Sequence, residues 1–391
     1  MSAQISGIAA NTASKTTELR ALDRLQSVRD DARLATPCLA IDGALVERNI
    51  ERMATYCASH GLALRPHTKT HKSQRIAQLQ LDAGAVGLTV AKPGEARVMA
   101  PLGAPILIAY PPITPASLRA IGELAERGDV LVAADSAEAI ERLAAAAPGR
   151  GRRVGVLVDA DVGMHRTGAS NPEQCVMLAQ LIAASDKLRF DGLFCYPGHI
   201  WVKPAEQAAP LQTAGEFVQA CIGALAAIGM TPRIVSAGST PTAFNSHLMP
   251  GVTEIRPGTY VFNDMNTVRG GFCGLHDCAV RMIATVVSTA VPGQVVIDAG
   301  AKALAADRCI PAPTSGHGFV VEYPEAVVTA LSEEHGQIDV SRCERTPRVG
   351  ERVSVIPNHV CPTINLTDSA WWFDSEGSLQ ELTIDARGMV R

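Results

Sequence analysis

Features that mark membrane and nucleic-acid-binding proteins are missing from this chain of 391 residues. No apolar run approaches the ~20 residues that a membrane-spanning helix requires. The N-terminal stretch MSAQISGIAANTASK has no apolar core that would make it a secretory signal. The net charge is −4 and Lys and Arg are scattered, so the basic stripe that binds nucleic acid is absent. We therefore expect neither a membrane nor a nucleic-acid partner.

Cysteine has no regular spacing: ten residues stand singly between Cys38 and Cys361. In a chain of this size without a secretory signal, that pattern indicates reduced, mostly buried thiols rather than a disulfide framework. It predicts a cytoplasmic location. The length and the 47% of hydrophobic residues favour two domains with sizeable cores.

Short β-rich runs alternate with helical patterns from about residue 60, with helices such as 136–147 and 212–229. This alternation predicts a parallel sheet, and eight strands are the number that closes a (β/α)8 TIM barrel. A doubly wound open sheet is the alternative. The predicted strands are Leu62–Arg65, Val86–Val90, Ile106–Tyr110, Val130–Ala133, Val154–Val158, Phe190–Cys195, Ile234–Ser236 and Thr253–Ile255.

The pattern changes after about residue 278, where runs such as QVVIDAG, GFVVEYP and RVSVIPN are strand-like and separated by Gly and Pro. They predict a second, mostly antiparallel β domain. The strand-like segment TPCLAID precedes the first helix and is expected to pair with that domain. We therefore predict a partly disordered N-terminal arm (1–35), a barrel (45–277) and a β domain (36–44 plus 278–391).

Barrel enzymes place their functional groups just beyond the C-terminal ends of the strands. Two of the loops there, AGSTPT (237–242) and PGTY (257–260), follow strands seven and eight. Small and hydroxyl residues at that place are typical of a phosphate cradle, although the same residues are ordinary in turns. The other candidate loops are PHTKTHKS (66–73), DVGMHRTG (161–168) and YPGH (196–199).

Lys69 lies in the first of these other loops. A partly desolvated lysine can form an imine with a carbonyl cofactor, whereas most lysines are simply solvated. A lysine amine close to phosphate-binding loops is what pyridoxal 5'-phosphate (PLP) requires. A sugar-phosphate aldolase would use the same combination of a lysine and a phosphate site. Arg166, between Gly163 and Gly168, either polarises the cofactor's phenolic oxygen or forms a surface ion pair.

The segment NHVCPT (358–363) places His359 and Cys361 two residues apart. In an extended segment both side chains would face the same way. Imidazole with thiolate suits zinc. A core cysteine beside an incidental histidine is the alternative.

The motifs in combination resemble the alanine-racemase-like PLP enzymes of fold type III. Within them the chain is similar to the group of D-threonine aldolase, 3-hydroxy-D-aspartate aldolase and metal-dependent D-serine dehydratases. The resemblance runs from about residue 36 to residue 388, and implies a (β/α)8 barrel followed by a β domain, usually as a homodimer. The motifs are LRPHTKTHKS, DVGMHRTG, AGSTPT, IRPGTYVFND, IDAGAKAL, SEEHG and NHVCPT.

The resemblance also implies roles for single residues. Lys69 matches the lysine that carries PLP as a Schiff base and takes the substrate's α-proton, and Arg166 would approach the phenolic oxygen. His359 and Cys361 match the family's metal pair, for which zinc is the first expectation and manganese or cobalt the alternatives. The other cofactor contacts would be Tyr196, Gly238, Ser239, Thr240, Gly258, Thr259 and Tyr260.

Two details favour one branch of this group. Aldolase members generally read H-x-D at the metal pair and GGGTG after strand seven, whereas this chain reads His-Val-Cys at 359–361 and GSTPT. It is similar here to the dehydratases, which predicts conversion of D-serine, D-threonine or D-3-hydroxyaspartate to a 2-oxo acid and ammonia. Retro-aldol cleavage to glycine and an aldehyde is the alternative.

Two further alternatives are less favoured by the sequence. An alanine-type racemase needs an acid on the far face of the cofactor, usually a tyrosine from the β domain of the partner subunit. Tyr323 is the only tyrosine beyond residue 260, and its segment VVEYPEA does not resemble that site. A cofactor-binding protein without enzymatic activity would lack the β domain and the metal pair.

Overall fold

The computed structural model describes residues 28–148 and 153–391. They form two compact units: a β unit of residues 28–49 and Val261–Ile384, and a barrel unit of Ile50–Tyr260 and Asp385–Arg391. Most of the predicted N-terminal arm, residues 1–27, lies outside the described residues. Within the described ranges, none of the helices combines the length and the apolar character needed to cross a bilayer.

The barrel unit contains an eight-stranded parallel sheet. A parallel bridge between His67 and Thr89 joins its two end strands, and this architecture confirms the predicted barrel. After β1 (Cys38–Asp42), which belongs to the β unit, the barrel strands are β2 Ala63–Leu64, β3 Leu88–Val90, β4 Ile106–Ile108, β5 Val130–Ala134, β6 Val154–Ala160, β7 Leu188–Cys195, β8 Ile234–Ala237 and β9 Glu254–Ile255. Their order in the sheet is β2-β9-β8-β7-β6-β5-β4-β3.

Helices follow most of these strands, and polar side chains cap several of them. Thr114 and Asn171 accept hydrogen bonds from backbone N–H groups in the first turn of their helices, and each is followed by a proline. The helices are α1 Gly43–Ser59, α2 Gln74–Asp82, α3 Pro93–Met99, α4 Pro115–Ala125, α5 Ala137–Ala146, α6 Pro172–Ala183 and α7 Ala208–Ala227.

Successive residues of the barrel strands face opposite sides of the sheet. Leu107, Leu131 and Leu157 belong to a buried cluster with Phe194. Their chain neighbours Ile106, Val130 and Val156 belong to a second, larger cluster that includes the helices. The strands are apolar on both faces, as expected for a parallel sheet covered by helices.

The β unit contains a nine-stranded sheet. The segment TPCLAID supplies its strand β1, which pairs antiparallel with β10 (Val280–Ser288) and parallel with β16 (Ser369–Phe373); the other pairs are antiparallel. The remaining elements are α8 Met265–Arg269, β11 Gln294–Ile297, α9 Ala301–Leu304, β12 Phe319–Val320, β13 Val327–Leu331, β14 Gly336–Asp339, β15 Arg352–Ile356, α10 Val360–Asn365 and β17 Leu379–Thr383.

Candidate active site

The loop that carries Lys69 begins directly after β2. Thr68 N donates to the carbonyl oxygen of Thr89 (2.8 Å), and Lys72 N donates to the carbonyl oxygen of Thr68 (2.8 Å). Thr68 and Thr70 are completely buried, whereas Lys69 between them is exposed. The residues on either side of Lys69 are therefore packed in the fold, whereas the amine of Lys69 is accessible at the C-terminal end of a barrel strand.

The second lysine of this loop has a different environment. The Nζ atom of Lys72 lies 2.5 Å from Oε1 of Glu95, and both side chains are buried. Within the part of the chain that the structure describes, Lys69 forms no ion pair. Only a deprotonated, accessible amine can act as a nucleophile. Of these two lysines, Lys69 is therefore the one suited to covalent chemistry.

His67 lies beside Lys69, and its Nδ1 atom accepts a 3.4 Å hydrogen bond from Lys69 N. Burial, together with the cations Lys69 and Arg256, lowers the pKa of His67 well below its usual value. The imidazole is neutral at pH 7 as a result.

The predicted phosphate loop that contains Gly258 lies next to the lysine loop, and the loop of Gly238 lies next to Ile255 and Arg256. The hydroxyl oxygens of Ser239 and Thr242 are 3.1 Å apart, within the loop that Gly238 opens after β8. A Cβ atom at Gly258 would lie 2.9 Å from Oγ1 of Thr70 and 3.1 Å from the carbonyl oxygen of His67. Only glycine fits this close approach without displacing the lysine loop.

Tyr260 lies below this loop rather than on its surface. Its side chain is 3% exposed, and its hydroxyl accepts a 3.0 Å hydrogen bond from Nε2 of Gln80. The amide oxygen of Gln80 is in turn 3.2 Å from Nε2 of His71. Burial raises the pKa of Tyr260 and lowers that of His71 to about 3. Both groups are therefore neutral supports of the lysine loop at physiological pH.

Arg166 and Tyr196 contact each other, because the Arg166 guanidinium lies 4.8 Å from the centre of the Tyr196 ring. Arg166 is exposed, and the loop before it is folded around Asp161, which accepts bonds from Gly163 N (3.0 Å) and His165 N (2.9 Å). The structure thus places these two predicted cofactor contacts together after β6 and β7.

In the β unit, His359 contacts both Cys361 and Asp307. Its side chain is hydrogen bonded to Cys361, and its Nδ1 atom lies 3.1 Å from Oδ1 of Asp307. The expected extended segment is wrong: His359 is extended, but Cys361 lies in the first turn of α10. Burial lowers the pKa of His359, but Cys361, Asp264 and Asp307 outweigh this effect and raise it to about 9.

The described residues contain no group of three or more His, Cys, Asp or Glu side chains arranged to hold a metal ion. The His359–Cys361 pair would therefore offer a metal two protein ligands, and the oxygen of Asp307 contacts the imidazole. Structural zinc sites usually have four protein ligands, whereas catalytic sites keep positions open. The chemistry of this pair fits the open kind.

Comparison with known proteins identifies the family. The family described as alanine racemase, N-terminal domain, matches residues 41–265, and a putative serine dehydratase domain matches residues 279–372. D-threonine aldolase from Arthrobacter sp is 31% identical over 366 residues, which cover 92% of this chain and 94% of that protein. D-threo-3-hydroxyaspartate dehydratase from Delftia sp. (strain HT23) is 32% identical over 351 residues, covering 84% and 92%.

Solved structures agree with these matches. A cysteine-to-alanine mutant of D-threo-3-hydroxyaspartate dehydratase, in the metal-free form, has a TM-score of 0.81 and 30% identity, and covers 90% of this chain and 97% of its own. A histidine-to-alanine mutant has a TM-score of 0.82 and 29% identity, covering 92% and 98%.

The chain belongs to the alanine-racemase-like PLP-dependent lyases of D-hydroxy amino acids. PLP is the cofactor of this family, and the residues of the barrel unit fit it. The hydroxyl groups of Ser239 and Thr242 lie in the loop that begins at Gly238. The loop around Gly258 has no room for a side chain, so its backbone is free to approach a phosphate. The accessible amine of Lys69 lies in the adjoining loop.

Sequence reasoning missed the buried charged residues behind the cofactor loops of this lyase. Arg256 donates to Oγ of Ser236 (2.7 Å) and to the carbonyl oxygen of Cys195 (2.8 Å), and burial lowers its pKa to about 10. Oγ of Ser236 also donates to Glu254 (2.5 Å). Arg256 directly precedes the PGTY loop, but an arginine beside a loop is usually solvated, so its position alone did not identify it.

Asp159 and Asp307 were missed as well. Asp159 directly follows the apolar run VGVLV, and an acid at the end of a buried barrel strand could have been recognised as a candidate site residue. Burial raises the pKa of Asp159 to about 6, and Thr167 donates a 2.8 Å hydrogen bond to it. Asp307 lies 52 residues before His359, and no spacing rule connects the two.

Proposed function

We propose that this chain is a PLP- and metal-dependent dehydratase of D-3-hydroxy amino acids, which converts D-serine, D-threonine or D-3-hydroxyaspartate to a 2-oxo acid and ammonia. The contact between His359 and Cys361 carries this proposal. In D-threo-3-hydroxyaspartate dehydratase, a histidine and a cysteine two positions apart were each replaced by alanine, and the cysteine mutant is in a metal-free form. The pair in this chain has the same residue types and the same spacing.

The proposal gives the barrel residues the task of holding the cofactor. Lys69 attaches it covalently, Arg166 contacts the phenolic oxygen, and Tyr196 and Tyr260 support the ring and the loop. The phosphate is held by Gly238, Ser239, Thr240, Gly258 and Thr259. His67, beside Lys69, is neutral because burial and the cations Lys69 and Arg256 lower its pKa.

PLP supplies an electron sink for the carbanion that forms at the substrate's Cα. The chain's own contribution to that step is the amine of Lys69, which takes the proton from Cα. Its contacts at Thr68 and Lys72 fix the loop and orient the amine. Such fixed geometry is a large part of general-base catalysis.

His359 and Cys361 would hold a divalent metal, which activates the substrate's 3-hydroxyl group as a leaving group. A thiolate ligand is soft, so we propose zinc as the metal. Asp307 accepts a hydrogen bond from the imidazole and would fix its orientation. A homodimer in the cytoplasm and the division into an arm, a barrel and a β domain also stay predictions from the sequence.

Ammonia release tests the proposal. Purified chain supplied with PLP and zinc is incubated with D-serine, D-threonine and D-3-hydroxyaspartate, and separately with their L-enantiomers. We expect ammonia from at least one D-substrate and none from the L-series, and we expect Cys361→Ala to lose the activity while it keeps the cofactor's absorption. Equal turnover of both enantiomers would overturn the assignment.

Retro-aldol cleavage is the second candidate, because D-threonine aldolase from Arthrobacter sp is 31% identical over 92% of this chain. Cleavage removes the proton of the substrate's 3-hydroxyl instead of the Cα proton, and releases glycine and an aldehyde. Racemisation is not favoured, since Tyr323 is 4% exposed and its hydroxyl donates a 2.5 Å hydrogen bond to Glu351.

A further inference from the structure

The C-terminal residues of the chain pack on the barrel unit beside the loop that carries Lys69. Oδ2 of Asp385 accepts a 2.7 Å hydrogen bond from the backbone N–H of Gln74, the first residue of α2. Ala386 N donates to the carbonyl oxygen of Lys72 (2.9 Å), and the carbonyl oxygen of Ala386 accepts from Nζ of Lys72 (3.4 Å). Lys72 lies within the lysine loop, and Gln74 directly follows that loop in the sequence.

Asp385 takes the place of the usual cap of α2. Ser73 stands at the N-cap position, where serine normally accepts a bond from the first helical turn, but its side chain makes no such bond. Its Oγ atom is buried and has no hydrogen-bond partner within the described ranges. The carboxylate of Asp385 accepts from the helix instead, and a negative charge suits a helix N-terminus. The start of α2 thus depends on a residue 311 positions away.

Lys72 adopts a backbone conformation that needs support from its surroundings. Its φ angle is +53°, which is costly for a residue with a side chain. The bonds to Ala386 on one side and to Glu95 on the other hold it there. Lys72 N also donates a hydrogen bond to the carbonyl oxygen of Thr68, which closes a turn that contains Lys69. The C-terminal residues stabilise this turn through their bonds to Lys72.

We propose that Asp385 and Ala386 position the loop that carries Lys69, with Asp385 as the principal positioning residue. The proposal rests on the proposed role of Lys69 as the cofactor lysine. The C-terminal segment forms hydrogen bonds with Lys72 and Gln74, and these bonds fix the position of the Lys69 amine.

Full-length Asp385→Ala and Asp385→Asn variants test this role, with Asn171→Ala as the matched control. Asn171 caps α6 through a 2.9 Å bond from Gln174 N, so its loss removes a comparable cap from another barrel helix. The first measurement is amide hydrogen exchange of residues 66–73 in the cofactor-free protein. The second is PLP titration, followed by the absorption of the lysine-bound cofactor and its pH dependence.

We expect Asp385→Ala to speed exchange in residues 66–73, to weaken PLP binding by roughly fivefold, the effect typical of losing a helix cap, and to shift the pH dependence of the absorption band. Asparagine keeps the acceptor oxygen, so Asp385→Asn should keep all three properties near wild type. Asn171→Ala should change none of them.

The outcomes separate this role from the proposed function. If Asp385→Ala behaves like Asn171→Ala in exchange and in PLP affinity, Asp385 does not position the loop, and the proposed function is untouched. Faster exchange with an unchanged cofactor affinity and band would also overturn the positioning role. If Lys69→Ala keeps the absorption band, the cofactor lysine is wrong and this inference falls with it.

Discussion

The Nζ atom of Lys72 and Oε1 of Glu95 form an ion pair of 2.5 Å whose side chains are 6% and 2% exposed. The other carboxylate oxygen of Glu95 accepts a 2.7 Å bond from Ala91 N. The amine of Lys72 is thus held in a buried ion pair and is not accessible to a cofactor. Lys69, three residues earlier in the same loop, is exposed and remains available for the cofactor.

This difference predicts opposite effects of replacing the two lysines. Lys69→Ala should abolish the absorption of the lysine-bound cofactor and leave the stability nearly unchanged, because the side chain is exposed. Lys72→Met should keep the absorption but lower the free energy of unfolding by about 3 kcal/mol or more, since Glu95 is left as an unpaired buried charge. Cofactor spectra and urea unfolding check both. If the absorption band of the lysine-bound cofactor survives in Lys69→Ala, Lys69 is not the lysine that binds the cofactor.

The phosphate cradle predicts a specific effect of one methyl group. Gly258→Ala would place a Cβ 2.9 Å from Thr70 and 3.1 Å from the His67 carbonyl oxygen. Displacing them should cost about 1–3 kcal/mol, and PLP affinity should fall by roughly tenfold. The control is Gly223→Ala in α7, where a Cβ meets nothing within 4 Å; it should gain about 0.5–1 kcal/mol in stability and bind PLP normally. Equal affinities in the PLP titration would contradict the cradle.

The barrel could be predicted from the sequence because each strand is short, apolar and bounded by loops, and because eight of them alternate with helices. The strand Val130–Ala134 differs by one residue from its predicted end. The segment around Cys361 was predicted less well, since a proline at position 362 begins a helix as readily as it continues an extended chain. Local spacing could not decide between these two structures.

Contacts between distant parts of the sequence were beyond prediction. Asp385 and Gln74, and likewise Asp307 and His359, are brought together by the fold, and neither pair follows a periodic pattern. The buried Arg256 was hidden for another reason. An arginine next to a loop is usually solvated, so only burial shows that it belongs to the site.

The buried carboxyl group of Asp159 predicts a pH-dependent stability. Burial raises its pKa to about 6, against about 4 in the unfolded chain. Between these values the native state keeps a proton that the unfolded chain has released, so the contribution of this group to stability falls as pH rises from about 4 to about 6. At pH 7 the cost approaches about 3 kcal/mol.

Asp159→Asn should therefore raise the free energy of unfolding at pH 7 by about 1–3 kcal/mol. At pH 4 it should give no gain. Asparagine retains an acceptor for the Thr167 hydroxyl group, so the hydrogen bond itself is preserved. Urea unfolding at the two pH values measures the difference. The same gain at both would show that the carboxyl group does not titrate as described.

The metal pair predicts a loss of function on chelation. Dialysis against a chelator should remove ammonia release from D-substrates, and zinc should restore it, while the cofactor spectrum is unchanged. Asp307→Ala removes the hydrogen bond that orients His359 and should weaken zinc binding by about 10- to 100-fold. Asp339→Ala, at an aspartate that accepts a bond from its own turn, is the control. Full activity after verified metal removal would contradict the role of His359 and Cys361.

The product formed from D-threonine tests the central claim most directly. The zinc- and PLP-supplied protein is incubated with D-threonine, and the products are separated and identified. We predict 2-oxobutyrate and ammonia in equal amounts, as dehydration and deamination require. Glycine and acetaldehyde would contradict this account, and would show that a cysteine at the metal pair does not determine which bond of the substrate breaks.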